Sequence, residues 1–151
     1  MISFNEAIKL MPILLRQLNN SDSMNRFEDG HQRGIYVFLE KDKPIYVGRS
    51  NDIKKRLARH CQPSSGHNKA SFAFNLAKEI YEHKYGFTQN KSREILSSNS
   101  AFRELFNEQK KRVSEMKLKL VEINDPIIQT IFEVYAAIEL KTLKYNNFDT
   151  H

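Results

Sequence analysis

The sequence predicts an α+β fold in which helices flank a small three-stranded antiparallel sheet. Two short apolar runs, 35–39 and 45–47, are separated by a polar turn that contains Pro44, and this pattern is typical of a β-hairpin. A third run, at 116–123, begins by alternating lysines with apolar residues, so it predicts another strand. The segments between these runs place apolar residues at helical spacing, so we expect helices around the sheet.

Length and composition favour one folded domain. The chain has 151 residues, 40% of them hydrophobic and ten of them phenylalanine, which is enough for a core and argues against disorder. The single cysteine, Cys61, excludes an intrachain disulfide and a multi-cysteine zinc site, and it favours a reducing, cytoplasmic setting. No apolar run approaches the roughly 18 residues of a membrane span, and the N-terminus does not resemble a signal peptide, so we expect no membrane partner.

The charge balance favours a polyanionic partner. Lysine and arginine total 24 against 18 acids, which gives a net charge of +6. Basic domains attract nucleic acid because phosphate contacts release counterions. Many small cytoplasmic proteins are nevertheless basic without binding nucleic acid, so charge alone leaves the partner open.

The first predicted element is an N-terminal helix. Residues 4–18 place six apolar side chains at helical spacing, with Ser3 or Asn5 as the cap. The polar stretch 19–33 is predicted to be a loop. We therefore expect 1–33 to pack, as an extra helix and loop, on a domain that spans 34–151.

Helices are also predicted after the hairpin. Asp125 and Pro126 are suited to begin the last of them, because aspartate caps helices and proline fits the first turn. The predicted helices are 52–61, 69–83, one that contains 102–113, and one from 127 to about 143.

The segment at about 66–115 has the character of a helical insertion. Lysines and arginines cluster in it around Lys110, Lys111 and Arg112. They form either a solvated helix face or a surface that binds duplex DNA, and the sequence leaves both interpretations open.

Two tripeptides mark the hairpin strands, Gly34-Ile35-Tyr36 and Tyr46-Val47-Gly48. Their tyrosines lie on adjacent strands, so the two rings can share one face of the sheet. Arg56 and His60 are four residues apart on the following helix and therefore project together. Two hydroxyls, a guanidinium and an imidazole around one point fit phosphodiester hydrolysis, which needs an activated water and a cation for the phosphate.

These elements, taken in order, resemble the GIY-YIG nuclease domain over roughly residues 34–146. Taken singly, each has an ordinary explanation, since strand tyrosines often pack and helix arginines are often solvated. The resemblance rests on five elements in sequence: Gly34-Ile35-Tyr36, Tyr46-Val47-Gly48, Arg56 with His60, Glu133, and Tyr145-Asn146.

The resemblance implies an endonuclease that hydrolyses DNA phosphodiesters with one divalent cation, Mg²⁺ or Mn²⁺. It implies that Tyr36 activates or orients the attacking water with help from Tyr46, and that Arg56 binds the scissile phosphate. It also implies that His60 positions or protonates groups around that centre and that Glu133 holds the metal.

The metal ligand has a rival in the same helix. Glu133 lies 13 residues before Asn146, close to the spacing of the family, whereas Glu139 lies only seven before it. At 100° per residue, however, Glu139 falls within the apolar stripe of this helix and Glu133 lies to its side, which favours Glu139. We prefer Glu133 because the spacing is the more direct match.

Further residues are expected to bind the substrate around this centre. They are Gly48, Arg49, Lys55, His67 and Asn146. The expected partner is DNA, with specificity supplied by the insertion, by a second copy of the chain or by a separate protein. The alternative is a non-catalytic nucleic-acid-binding module that keeps the same fold, although no motif position is visibly replaced.

Overall fold

The computed structural model describes residues 2–25, 31–88 and 91–149, and it confirms the predicted α+β architecture. The elements in chain order are α1 (Phe4–Asn20), β1 (Gly34–Glu40), β2 (Lys43–Ser50), α2 (Ile53–Cys61), α3 (Ser71–Tyr85), α4 (Arg93–Ser98), α5 (Ser100–Ser114), β3 (Lys117–Glu122) and α6 (Pro126–Glu139). No helix in the described ranges is both long enough and apolar enough to cross a membrane.

The chain divides into two compact units. The sheet unit comprises Met1–Arg56 and Met116–His151, and the helical unit comprises Leu57–Glu115. The predicted division at residue 33 stays a prediction about domain organisation. Of the predicted loop 19–33, residues 26–30 lie outside the described part of the chain.

The sheet has the order β2-β1-β3, and both pairings are antiparallel. The hairpin turn is tighter than the sequence predicts. β1 ends at Glu40 and β2 begins at Lys43, so only Lys41 and Asp42 form the turn, with φ angles of 52° and 63°. Two successive left-handed residues match the right-handed twist of the strands that they join. Pro44 lies on β2, which is an edge strand, where a missing N–H is tolerated.

One face of the sheet forms the core of the sheet unit. Ile35 and Val37 point from β1 into a buried cluster with side chains from α1 and α6, such as Met11 and Phe132. Because side chains alternate along a strand, Tyr36 and Phe38 lie on the opposite face. The core therefore fixes the strand that carries the first motif tyrosine.

Caps decide where the helices of the sheet unit begin. Ser3 forms a reciprocal capping box with Glu6, in which the Ser3 N–H donates to Glu6 Oε2 over 2.9 Å. Asp125 Oδ1 accepts the N–H groups of Ile127 and Ile128 at 2.8 and 3.0 Å. α6 ends at Glu139, earlier than expected, because the chain turns at Lys141 with a φ of 59°.

The helical unit is organised around α3 and α5. The Phe74 ring lies 5.0 Å from that of Phe102 and 5.9 Å from that of Phe106, centroid to centroid. Helix α4 was not predicted from the sequence, because six residues are too few to show a helical period.

Candidate active site

Tyr36 and Gly48 face each other across the hairpin, as cross-strand partners on β1 and β2. A Cβ atom added to Gly48 would overlap the Cζ, Oη and Cε2 atoms of Tyr36. The hydroxyl end of the Tyr36 ring therefore lies directly over Gly48 of β2. Gly48 makes room for the phenol, and the substrate-binding role predicted for it stays a prediction.

Tyr46 lies on the same sheet face as Tyr36, one register step away. It pairs with Phe38, whose ring centroid lies 6.2 Å from that of Tyr46 and 5.6 Å from that of Tyr36. The Phe38 ring meets Tyr36 edge-on, at 79°, an arrangement that aromatic pairs favour. Phe38 thus packs against both tyrosine rings.

Arg56 reaches this face from the start of α2. The helix begins directly after β2, where Asp52 Oδ1 accepts the N–H of Lys55 over 3.1 Å and Asp52 Oδ2 lies 2.7 Å from His31 Nδ1. Arg56 follows in the first turns, and its guanidinium hydrogen-bonds the side chains of both Tyr36 and Tyr46. The structure brings together the two phenols and the guanidinium.

Both phenols are protonated at neutral pH, as ordinary tyrosines are, and their surroundings raise both pKa values further. Burial is the largest cause that raises the pKa of Tyr36, and Tyr46 and Glu133 raise it further, while Arg56 opposes them. Burial likewise raises the pKa of Tyr46, with Arg56 acting against it and Glu133 with it. An uncharged phenol can both donate and accept a hydrogen bond, so each hydroxyl can orient a polar ligand.

Glu133 is the carboxylate that acts electrostatically on these phenols, and it extends from α6. Its Oε2 lies 3.6 Å from Arg49 Nε, and Arg49 Nη1 donates to Thr130 Oγ1 over 2.9 Å. Burial raises the pKa of Glu133, and Arg49 acts against that rise. Arg49, a predicted substrate ligand, is therefore placed beside the carboxylate.

Glu139, the alternative metal ligand, lies at the C-terminal end of α6. Glu139, the last residue of α6, is exposed, and its neighbour Ile138 is 53% exposed. The expectation that Glu139 lies within a buried stripe is wrong. Glu139 shares a helical face with Phe132, seven residues earlier, but it is the last residue of α6 and lies beyond the buried part of that face.

Glu133 would offer a metal ion a single carboxylate. Within the described ranges, no group of three or more histidine, cysteine, aspartate or glutamate side chains could hold a metal. A lone carboxylate is nevertheless a common ligand of Mg²⁺, which keeps most of its waters. Glu133 therefore fits a hydrated Mg²⁺ and does not fit a fully protein-ligated ion.

Asn146 has a structural role at the edge of β2, and the substrate contact predicted for it stays a prediction. Its Oδ1 accepts the Val47 N–H over 2.9 Å and the Thr142 hydroxyl over 2.8 Å, and its Nδ2 donates to the Val47 carbonyl over 2.6 Å. With Asn146 only 7% exposed, both of its amide atoms are already used. Asn146 thereby holds the residue between Tyr46 and Gly48.

Three predicted site residues remain, namely His60, His67 and Lys55. His60 is completely buried, and its ring meets that of Phe72 edge-on at 6.5 Å within the helical unit. His67 is half-buried, and its carbonyl accepts Arg93 Nη1 over 3.1 Å. Lys55 is exposed on α2. The roles predicted for these residues stay predictions.

The basic cluster at the end of α5 is not one continuous surface. Lys110 is 4% exposed, and its Nζ donates to the carbonyls of Pro63 and Ser65 over 2.8 and 3.0 Å. Burial lowers the pKa of Lys110. Arg112 is half-buried and donates to Gln109 Oε1, so only Lys111 is exposed in this cluster.

Comparison with known proteins agrees with the motif. Residues 32–105 match the family model of the GIY-YIG catalytic domain. The matched range contains Tyr36, Tyr46 and Arg56, whereas Glu133 and Asn146 lie beyond it. No curated protein and no solved structure matches the chain.

Proposed function

We propose that this chain, which carries a GIY-YIG catalytic domain and with it a nuclease-type fold, is a metal-dependent endonuclease that hydrolyses DNA phosphodiester bonds. The observation that supports the proposal is the placement of Arg56. Its guanidinium is held by two phenols that carry no charge, so neither of them offsets the positive charge that it offers to a phosphate.

Arg56 binds the scissile phosphate in this proposal. A guanidinium presents several donors in a planar fork that matches phosphate oxygens, and its charge offsets the negative charge that develops during hydrolysis. The hydrogen bonds to Tyr36 and Tyr46 fix the fork before substrate arrives. Such preorganisation means that little reorganisation is needed during the reaction.

Tyr36 orients the attacking water, and Tyr46 assists it by hydrogen bonding. A tyrosine is protonated at neutral pH, and burial makes Tyr36 still harder to ionise by raising its pKa, so the phenol serves as a hydrogen-bonding partner of the water. The ring lies over Gly48 and leaves the hydroxyl in a defined position.

Glu133 is the residue that would hold the divalent cation. Bound there, Mg²⁺ would supply Lewis-acid stabilisation of the leaving 3′ oxygen. The carboxylate is half-buried and acts electrostatically on both phenols, which supports its place in the same centre.

The test is cleavage of supercoiled plasmid with Mg²⁺ and with EDTA, for wild type and variants whose folding is checked by circular dichroism. Arg56→Ala should lose about 10²- to 10³-fold in rate, the typical loss for one preorganised donor. Glu133→Gln should lose Mg²⁺-dependent cleavage, because a neutral amide binds a hard cation far less well. Glu139→Gln is the matched control, exposed on the same helix, and should cut normally.

Two outcomes would contradict the proposal. Normal cleavage by folded Arg56→Ala would remove the phosphate-binding role. Wild-type protein that binds DNA but cuts none with either Mg²⁺ or Mn²⁺ would replace the enzyme with a non-catalytic nucleic-acid-binding module.

A further inference from the structure

Two aromatic side chains are exposed to solvent at the C-terminal end of α3. Phe87 is 84% exposed and Tyr85 is 54% exposed, and both belong to the helical unit. Two exposed aromatic residues separated by only one residue in the chain are a candidate interaction surface, because apolar surface that is covered on binding contributes to affinity.

The backbone is anchored on both sides of Phe87. The N–H of Gly86 donates to the Glu82 carbonyl over 2.8 Å, and Gly86 has a φ of 95°, which a residue with a side chain rarely adopts. Thr88 is 2% exposed, and both its N–H and its hydroxyl donate to Glu82 Oε1. The outward direction of Phe87 is thus imposed by two fixed neighbours.

Tyr85 is held from within the helix. Its ring lies 4.7 Å from that of Tyr81, one turn earlier, and Lys84 Nζ lies 5.3 Å from its centroid. Tyr81 is only 7% exposed, so it acts as a fixed support for a ring that remains half in solvent.

Exposed lysines lie close in sequence to the two rings. Lys84 and Lys91 are exposed on either side of Phe87 in sequence. The nearby carboxylate of Glu82 accepts from Thr88 and lies 4.0 Å from Lys78 Nζ, so its charge is largely engaged within the protein.

We infer that Tyr85 and Phe87 form a stacking platform for an unpaired base of the nucleic-acid substrate. The inference rests on the proposed function and deepens it, since it names DNA with unpaired bases as the substrate class. Aromatic faces stack on any nucleobase, and lysines beside them follow the phosphate backbone. An apolar protein surface would cover the rings but would offer no negative charge to the exposed Lys84 and Lys91, so these lysines favour a polyanion.

A fluorescence experiment tests the contact directly, because the chain contains no tryptophan. Phe87→Trp places a single indole on the platform. Ile95→Trp is the matched control, since Ile95 is 56% exposed in the same unit. With EDTA present to prevent cleavage, an oligonucleotide duplex with a single-stranded overhang should quench Phe87→Trp saturably and leave Ile95→Trp unchanged.

Binding constants from fluorescence anisotropy provide the second measurement. Phe87→Ala should weaken binding of the overhang substrate by about 5- to 100-fold, the range for one stacked base, while binding of a blunt duplex should hardly change. Ile95→Ala should bind both substrates as wild type does. Equal effects of the two alanine variants, or equal losses on the two substrates, would overturn the inference.

Other outcomes separate this inference from the proposed function. If Phe87→Ala abolishes self-association in analytical ultracentrifugation without changing DNA binding, a second copy of the chain covers the platform and the inference is wrong. If wild type cuts no DNA but Phe87→Trp is quenched selectively by the overhang, the inference stands and the endonuclease proposal falls. If wild type cuts DNA and Phe87→Ala binds and cuts normally, only the inference falls.

Discussion

Replacing Asn146 should destabilise the protein without removing a substrate contact. β2 is an edge strand, and the N–H and C=O of Val47 both bond to Asn146, so these groups face away from β1. The amide side chain thereby completes the edge as a neighbouring strand would. Asn146→Ala removes both of these bonds and the one from Thr142.

The size of the effect follows from three buried hydrogen bonds. A buried polar group left without a partner costs about 1–3 kcal/mol, and water entering the vacated space recovers part of that cost. We therefore expect a loss of about 2–4 kcal/mol in the free energy of unfolding. For a chain of this size that corresponds to a fall in Tm of roughly 5–15 °C.

Thermal unfolding followed by circular dichroism measures this loss, and anisotropy with blunt duplex DNA measures binding. Thr142→Val removes only one of the three bonds and should cost about 1 kcal/mol. Asn147→Ala is the matched control, because Asn147 is an exposed neighbour, and should leave Tm nearly unchanged. A wild-type Tm for Asn146→Ala together with a large loss of DNA affinity would refute the positioning role and restore the predicted substrate contact.

Three further predictions follow from single contacts. Gly48→Ala forces its new Cβ into the Tyr36 phenol, so it should cost about 1–3 kcal/mol in chemical denaturation and reduce cleavage; full stability and activity would contradict the placement of the ring. In an alkaline titration of tyrosinate absorbance, Tyr36→Phe should remove one late-titrating group and leave the early groups unchanged, because the pKa of Tyr36 is raised in the folded state. Since the unfolded chain releases that proton first, wild type should lose stability as pH rises above about 10, and Tyr36→Phe should lose less; identical pH profiles would argue against burial of this phenol. Lys111→Ala should reduce the slope of the logarithm of the DNA-binding constant against log salt by about 0.9, because this exposed lysine can contact a phosphate. Lys110→Ala should instead lower Tm, because two carbonyls lose their donor. A smaller salt slope for Lys110→Ala would mean that its ammonium reaches DNA.

The sequence by itself determined the order of the elements and much of the motif. The apolar run 35–39 and the helical spacing in 4–18 are local patterns, and the structure has the strand and the helix that they predict. The sequence also predicts that Tyr36, Tyr46 and Arg56 lie close together. A tight hairpin followed at once by a helix leaves these side chains few other directions.

Tertiary structure alone decided what the distant residues do. Asn146 meets Val47 across 99 residues, and no local pattern encodes that contact. Lys110 belongs by sequence to a charged run, yet its ammonium is buried against carbonyls some 45 residues earlier in the chain. Glu133 likewise is half-buried beside Arg49 of β2, a contact between residues far apart in the chain. In each case the deciding term is the desolvation of a polar group by residues far away in sequence, which periodicity and spacing do not report.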